Sequence, residues 1–199
     1  MKRNGLFGGS FDPVHNAHVA LAHTALDALR LDELRWVPAG QPWQKPRAMT
    51  PAAQRQAMLR LAIAGEPRFV LEPRELERSG PSYTIDTVRE LQAREPGAAW
   101  FLIVGHDQYA NLHTWAHWPE LLSRVTLAVA QRSGASVTVN PEVALQPHET
   151  LPLPPMDVSS SAIRSMLQRG ESVAHLVPPE VARYIESQGL YGPPSPPRS

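Results

Sequence analysis

The residues of this 199-residue chain best equipped for chemistry are glycines, histidines, serines and an arginine, and they fall in two stretches. Near the start, Leu6-Phe7-Gly8-Gly9-Ser10-Phe11-Asp12-Pro13-Val14-His15-Asn16-Ala17-His18 passes from a short apolar run through paired glycines and a turn to two histidines three residues apart. Far downstream, Val158-Ser159-Ser160-Ser161-Ala162-Ile163-Arg164 sets serines ahead of an arginine. Both stretches suit a phosphate group. Adjacent glycines let backbone N–H groups come close to a ligand where any Cβ would collide. A helix start adds unpaired N–H groups and the positive end of its dipole. On that helix His15 and His18 are neighbours, and each can donate a hydrogen bond to a phosphate oxygen. Arg164 in a first helical turn opposes the dipole, which makes better sense if a bound anion offsets it. One histidine at a helix start is usually a cap or a solvated residue; it is the whole set that points to phosphate. The stretch is no P-loop, because no Lys-Ser/Thr pair follows the glycines, and it does not spell G-x-G-x-x-G.

Positioning these groups requires strands that deliver them and helices that carry them on. Val19 to Leu29 reads as an amphipathic helix with a stripe of Leu21, Ala22, Ala25, Leu26 and Leu29. Leu34–Pro38 reads as a second strand, so the first strand, this helix and the second strand form a βαβ unit. Ligands of such sheets bind beyond the carboxyl ends of the strands, where the glycine pair lies. Thr50 and Pro51 provide an N-cap and an N1 proline for a helix that runs until Gly65. Phe69–Leu71 is a short third strand, and the charged segment from Glu72 to Gly80 reads as a surface excursion. Trp100–Val104 is fully apolar, as a central parallel strand should be, and Val125–Ala130 reads as another buried strand. Between Ala135 and Pro155 only weak strand character shows, near Val137–Val139 and Leu151–Leu153. Helices open at the serine cluster and at Pro178–Glu180. One α/β domain over residues 1–191, doubly wound around a mostly parallel sheet, is the expectation, with a proline-rich tail from 192 to 199.

Other candidates lie where strands end. Ser82, Tyr83 and Thr84 open a helix, a start that can hold a small anion such as a carboxylate or simply cap itself. Gly105 follows an apolar strand, and Asp107 beyond it can accept a ribose hydroxyl or cap the next helix. Lys45, in a Gly/Pro-rich loop, can reach a phosphate or stay solvated. Arg132 can face substrate phosphate or solvent. Trp115 and Trp118 can be core residues. His113 and His117 are four apart, but no glutamate follows the first and no third ligand suggests itself, so a zinc site is rejected.

Composition narrows the partners. Lysine plus arginine and aspartate plus glutamate number 19 each, so no basic surface for nucleic acid is expected. Cysteine is absent, which removes disulfides and thiolate metal sites. No signal-like segment and no run of membrane-spanning length is seen, and a soluble cytoplasmic protein is expected.

The Gly8-Gly9-Ser10-Phe11-Asp12-Pro13 and His15-Asn16-Ala17-His18 elements resemble the signature of the nucleotidyltransferase superfamily, glycine-glycine-Ser/Thr-Phe-Asp-Pro followed by His-x-Gly-His. Ala17 departs from its usual glycine. Ser159–Arg164 resembles the same superfamily's Ser-Ser-Ser/Thr-x-Ile-Arg element. Ser82-Tyr83-Thr84-Ile85-Asp86-Thr87 and the Trp115–Trp118 segment resemble its nicotinate-nucleotide adenylyltransferase branch. The resemblance spans nearly the whole chain and implies transfer of an adenylyl group from ATP to nicotinate mononucleotide, in NAD biosynthesis. It implies a catalytic set of His15, His18, Lys45 and Arg164. The implied nucleotide contacts are Phe7, Gly8, Gly9, Ser10, Phe11, Gly105, Asp107, Ser160 and Ile163. Tyr83, Thr84, Trp115 and Arg132 would hold the acceptor, with Trp115 stacked on the pyridine ring. Mg²⁺ would come on the ATP phosphates, with no protein metal site. Three rivals remain open. They are a sibling enzyme acting on nicotinamide mononucleotide or phosphopantetheine, a non-catalytic nucleotide sensor of the same fold, and a fragment of a class I synthetase.

Overall fold

A computed structural model describes residues 1–40, 49–132, 138–154 and 156–192. Its central strand is β1 (Arg3–Gly9), paired in parallel with β2 (Glu33–Pro38) on one side and β4 (Ala99–Val104) on the other. Beyond these lie β3 (Phe69–Leu71), β5 (Thr126–Arg132) and β6 (His148–Leu153), giving the order β3-β2-β1-β4-β5-β6 with every pairing parallel. The chain first winds outward from β1 to β3, then returns to the other side of β1. That reversal opens a crevice between the carboxyl ends of β1 and β4.

Helices cover both faces, which is why β4 and the Leu127–Ala130 part of β5 read as unbroken apolar runs. Phe7, Phe101, Ile103, Ala128 and Ala130 face a core built with α1 (Asn16–Ala28), α2 (Ala52–Ile63), α8 (Ser160–Gln168) and α9 (Pro179–Ser187). Their alternates Leu6, Trp100, Leu102, Val104, Leu127 and Val129 face α4 (Thr84–Arg94) and α6 (Trp118–Arg124). The period of two is the strand's own. Gly5 is fixed by packing: a Cβ there would lie 2.7 Å from Leu31 Cδ1 and 3.1 Å from Ile103 Cδ1. None of the described helices is long and apolar enough to cross a membrane.

Several local expectations need correction. Helix α1 begins at Asn16 rather than Val19, with His15 as its N-cap. Pro51 itself is the N-cap of α2, so the Thr50 side chain does not cap; the Thr50 N–H instead donates to Asp12 Oδ2 at 3.3 Å. The supposed surface excursion contains α3 (Arg74–Glu77), whose Arg74 and Glu75 are buried. Residues 138 and 139 are not strand. The helix α7 (Pro141–Ala144) follows instead, capped by Asn140 Oδ1, which accepts from Glu142 N at 2.9 Å.

Candidate active site

The sheet delivers the end of β1 to the crevice, and the glycines there divide the work. A Cβ on Gly9 would come within 3.1 Å of the Phe11 ring, so Gly9 is needed by the protein's own packing. A Cβ on Gly8 would meet no protein atom closer than Val37 O at 3.9 Å, so Gly8 answers to the space beside it. Next in the chain Phe11 adopts φ 45°, a left-handed backbone unusual for an aromatic residue, and buries its ring against Phe7, Trp36 and His18. The buried Arg55 of α2 ties the turn down, donating through its Nη1 to Ser10 O and through Nε to Thr50 O, each at 2.9 Å.

The two histidines form one unit. Their rings stack with centroids 3.6 Å apart and planes 20° apart, and His15 N donates to His18 Nδ1 at 3.2 Å. A neutral His18 whose Nδ1 accepts carries its proton on Nε2, so the ring is a donor at that edge. Helix α8 reaches the same place from the far end of the chain. Its N-cap Ser159 accepts from Ala162 N at 3.1 Å, Ser160 Oγ donates to Pro13 O at 3.0 Å, and Arg164 Nη1 donates to Asp12 O at 2.6 Å. Arg164 Nη2 donates to Ser161 Oγ at 3.1 Å.

These groups border one cavity of about 490 Å³, a size typical of small-molecule sites. Phe7, Gly8, Gly9, Ser10, His15, His18, Ser160 and Arg164 line it together with Tyr83, Thr84, Gly105, Asp107 and Trp115. Two expected contacts stand behind the lining: Phe11 and Ile163 are buried, supporting His18 and the α8 start from within. Lys45 lies outside the described residues, and so does the Arg132 side chain, although its backbone closes β5. The N-cap of α5 (His106–Ala110) is Gly105, not Asp107, whose exposed carboxylate remains at the cavity. Trp115 packs against the core on the α4 side of the sheet and also lines the cavity.

The start of α4 is held by a polar scaffold the sequence did not disclose. Neither Ser82 nor Thr84 caps it; Tyr83 takes the N-cap position. The buried Thr87 donates to Glu75 Oε1 at 2.8 Å, Arg78 Nη1 donates to Ser82 Oγ at 2.7 Å, and Arg78 Nη2 reaches Glu90 Oε1 at 2.8 Å. Arg74 bridges Glu90 and Glu72 at 2.9 and 3.0 Å, locking α3 onto α4. Burial raises the Glu75 pKa, against the pull of the Thr87 hydrogen bond and the Arg78 charge. Ser82 and Thr87, from the helix-start segment, line the cavity, and so does Glu75, which only three-dimensional packing reveals. The local chain at Glu75 is charged and carries no apolar period.

Among the described residues no group of three or more His, Asp or Glu side chains is placed to hold a metal ion.

The model of the family described as Cytidylyltransferase-like matches residues 6–166. A probable nicotinate-nucleotide adenylyltransferase of Methylibium petroleiphilum is 54% identical over 199 residues, covering 97% of this chain and 94% of that protein. One from Bordetella petrii is 49% identical, covering 96% and 100%. Among solved structures, the Plasmodium falciparum nicotinic acid mononucleotide adenylyltransferase complexed with NaAD superposes with a TM-score of 0.78 at 18% identity, over 96% of this chain and 98% of that one.

Proposed function

The chain belongs to the Cytidylyltransferase-like family and, within it, to the nicotinate-nucleotide adenylyltransferases, and from that premise we propose how its own residues perform the transfer. The reaction joins nicotinate mononucleotide to the α-phosphorus of ATP, releasing pyrophosphate and forming deamido-NAD. The observation that carries the assignment of roles is the convergence of Gly8, Gly9, His15, His18 and Arg164 with Tyr83, Thr84 and Trp115 on one cavity.

The nucleophile is a phosphate oxygen of the acceptor, already ionised near neutral pH, so no protein nucleophile is needed. The work left to the protein is to align two polyanions and to relieve charge as it moves onto the departing pyrophosphate. Backbone N–H groups at Gly8 and Gly9 approach the phosphates. His18 Nε2–H and the Arg164 guanidinium donate to phosphate oxygens that gain charge in the transition state. His15 fixes the His18 tautomer through its backbone N–H. Lys45 adds charge beside Arg164, and Arg132 meets the acceptor's phosphate. ATP arrives as its Mg²⁺ complex, which lowers the charge the side chains must meet. Asp107 accepts a ribose hydroxyl. The first N–H groups of α4, with the Thr84 hydroxyl, receive the pyridine carboxylate, and Trp115 lies against the ring. A cytoplasmic location accompanies this proposal, since the reaction consumes ATP.

Pyrophosphate release from ATP, measured with nicotinate mononucleotide, nicotinamide mononucleotide and phosphopantetheine supplied separately, tests the substrate. Release with the first and little with the others is expected. A preference for phosphopantetheine would contradict the roles given to Thr84 and Trp115.

A further inference from the structure

Where the chain ends its last helix, it comes back to the first. Helix α9 closes with Gly189 at φ 58°, whose N–H donates to Glu186 O at 3.1 Å while Leu190 N donates to Ile185 O at 3.0 Å. That paired closure is the Schellman arrangement. Two residues on, Tyr191 is again left-handed, at φ 62°, although it is not a glycine. The result is that its hydroxyl donates to Asp12 Oδ1 at 2.6 Å, across 179 residues of sequence.

Asp12 is fully buried and is a junction of four segments. Its carboxylate takes Tyr191 on one oxygen and the Thr50 N–H on the other, and its backbone oxygen takes the Arg164 guanidinium. It lies between Phe11, the other left-handed residue of the site, and His15. A buried carboxylate without its donors must recover them or move, and moving Asp12 shifts both the carbonyl that holds Arg164 and the turn that leads to His15. The phenol is half-buried, and burial beside Asp12 raises its pKa, so it stays protonated and remains a donor throughout the neutral range.

We infer that Tyr191 is a positioning residue for adenylyl transfer, acting through Asp12 to set where Arg164 and His15 meet the phosphates. The inference rests on the transfer reaction proposed above. It makes the residue after the last helix part of the working site, although Tyr191 is not among the residues lining the cavity.

Three variants test it in the full-length protein, with kcat and KM measured for both substrates: Tyr191→Phe, Asp12→Asn and their combination. Tyr191→Phe keeps the ring and removes only the donor. It should lower kcat about tenfold while KM for nicotinate mononucleotide stays within about twofold, the pattern of a group that matters in the transition state. In the Asp12→Asn background, where no buried charge needs the phenol, the same change should cost nothing further. Val181→Ala serves as the comparison, since it loosens the packing of α9 at the end of the helix away from Tyr191. It should lower the melting temperature and leave kcat unchanged well below that temperature. Equal kcat losses in Tyr191→Phe and Val181→Ala, additive losses in the double variant, or a Tyr191→Phe protein that does not fold would each overturn the assignment. A wild-type protein inactive with nicotinate mononucleotide would instead bring down the functional reading and this inference together. An active wild type with an unaffected Tyr191→Phe removes the positioning role alone.

Discussion

Replacing His18 by alanine separates two jobs that one imidazole performs. As an acceptor, His18 Nδ1 takes the N–H of His15, and its ring stacks on the His15 ring. Losing a neutral hydrogen bond costs about 0.5–1.5 kcal/mol, and with the lost ring contact the whole is about 1–2 kcal/mol. For a domain of this size that is a fall in melting temperature of roughly 2–8 °C. In the proposed mechanism the Nε2–H donates to the phosphates, and removing one donor aimed at developing charge costs roughly 10²–10³ in kcat. Ground-state ATP binding loses only an ordinary hydrogen bond, less than about tenfold in Kd. The assay is kcat from pyrophosphate release beside the ATP Kd from calorimetry, for His18→Ala and His18→Asn. Asparagine at this third helical position can still accept the His15 N–H, so His18→Asn should recover most of the melting temperature and little of the turnover. Equal proportional losses in kcat and in ATP affinity would falsify the transition-state role, and recovery of kcat by asparagine would make the cap the whole of the residue's function.

Gly8→Ala should fold normally, because its nearest protein neighbour would be 3.9 Å away, yet overfill the proposed nucleotide space by about 1–3 kcal/mol, roughly a 5- to 150-fold rise in ATP Kd. Gly9→Ala, pressed on the Phe11 ring, should show its main loss in thermal stability instead. Trp115→Ala should raise KM for nicotinate mononucleotide about two- to tenfold, from a stacking contribution of about 0.5–1.5 kcal/mol, and leave KM for ATP nearly unchanged; an equal rise for both would place the indole elsewhere. Glu75 has a pKa raised above its ordinary 4.5, so its proton is held more tightly in the folded state. Its contribution to stability is complete below that value and lost as pH rises through the folded pKa. Urea midpoints of wild type and Glu75→Gln should therefore diverge just above pH 4.5, with the variant flatter, and parallel curves would count against the burial argument.

How much of this was legible in one dimension follows from what each feature depends on. Strands β4 and β5 are legible because both of their faces are buried, which needs an apolar residue at nearly every inner position. The apolar period of α1 begins three residues after the helix does, because Asn16, Ala17 and His18 supply none and His15 caps without a usual capping side chain. Asn140 and Pro141 carry a cap-and-start signal for α7, while the β-branched residues just before them point to a strand. Glu75 and Thr87 are buried as partners of each other across α3 and α4, and Arg74 as the partner of Glu72 and Glu90, a property of pairs rather than of positions. Phe11 and Ile163 lie within motifs that the resemblance tied to the nucleotide, and the structure gives them to the core behind it. The Tyr191–Asp12 bond joins the two ends of the chain, and no local pattern could have foretold it.

The central claim is a single in-line displacement at the α-phosphorus, organised by donors and cations with no covalent intermediate on the protein. The configuration at that phosphorus after transfer from ATP made chiral by sulfur substitution at the α position tests it most directly. One displacement inverts the centre, and inversion is the expected result. Retention would require two successive displacements through an adenylylated side chain, and would contradict the account.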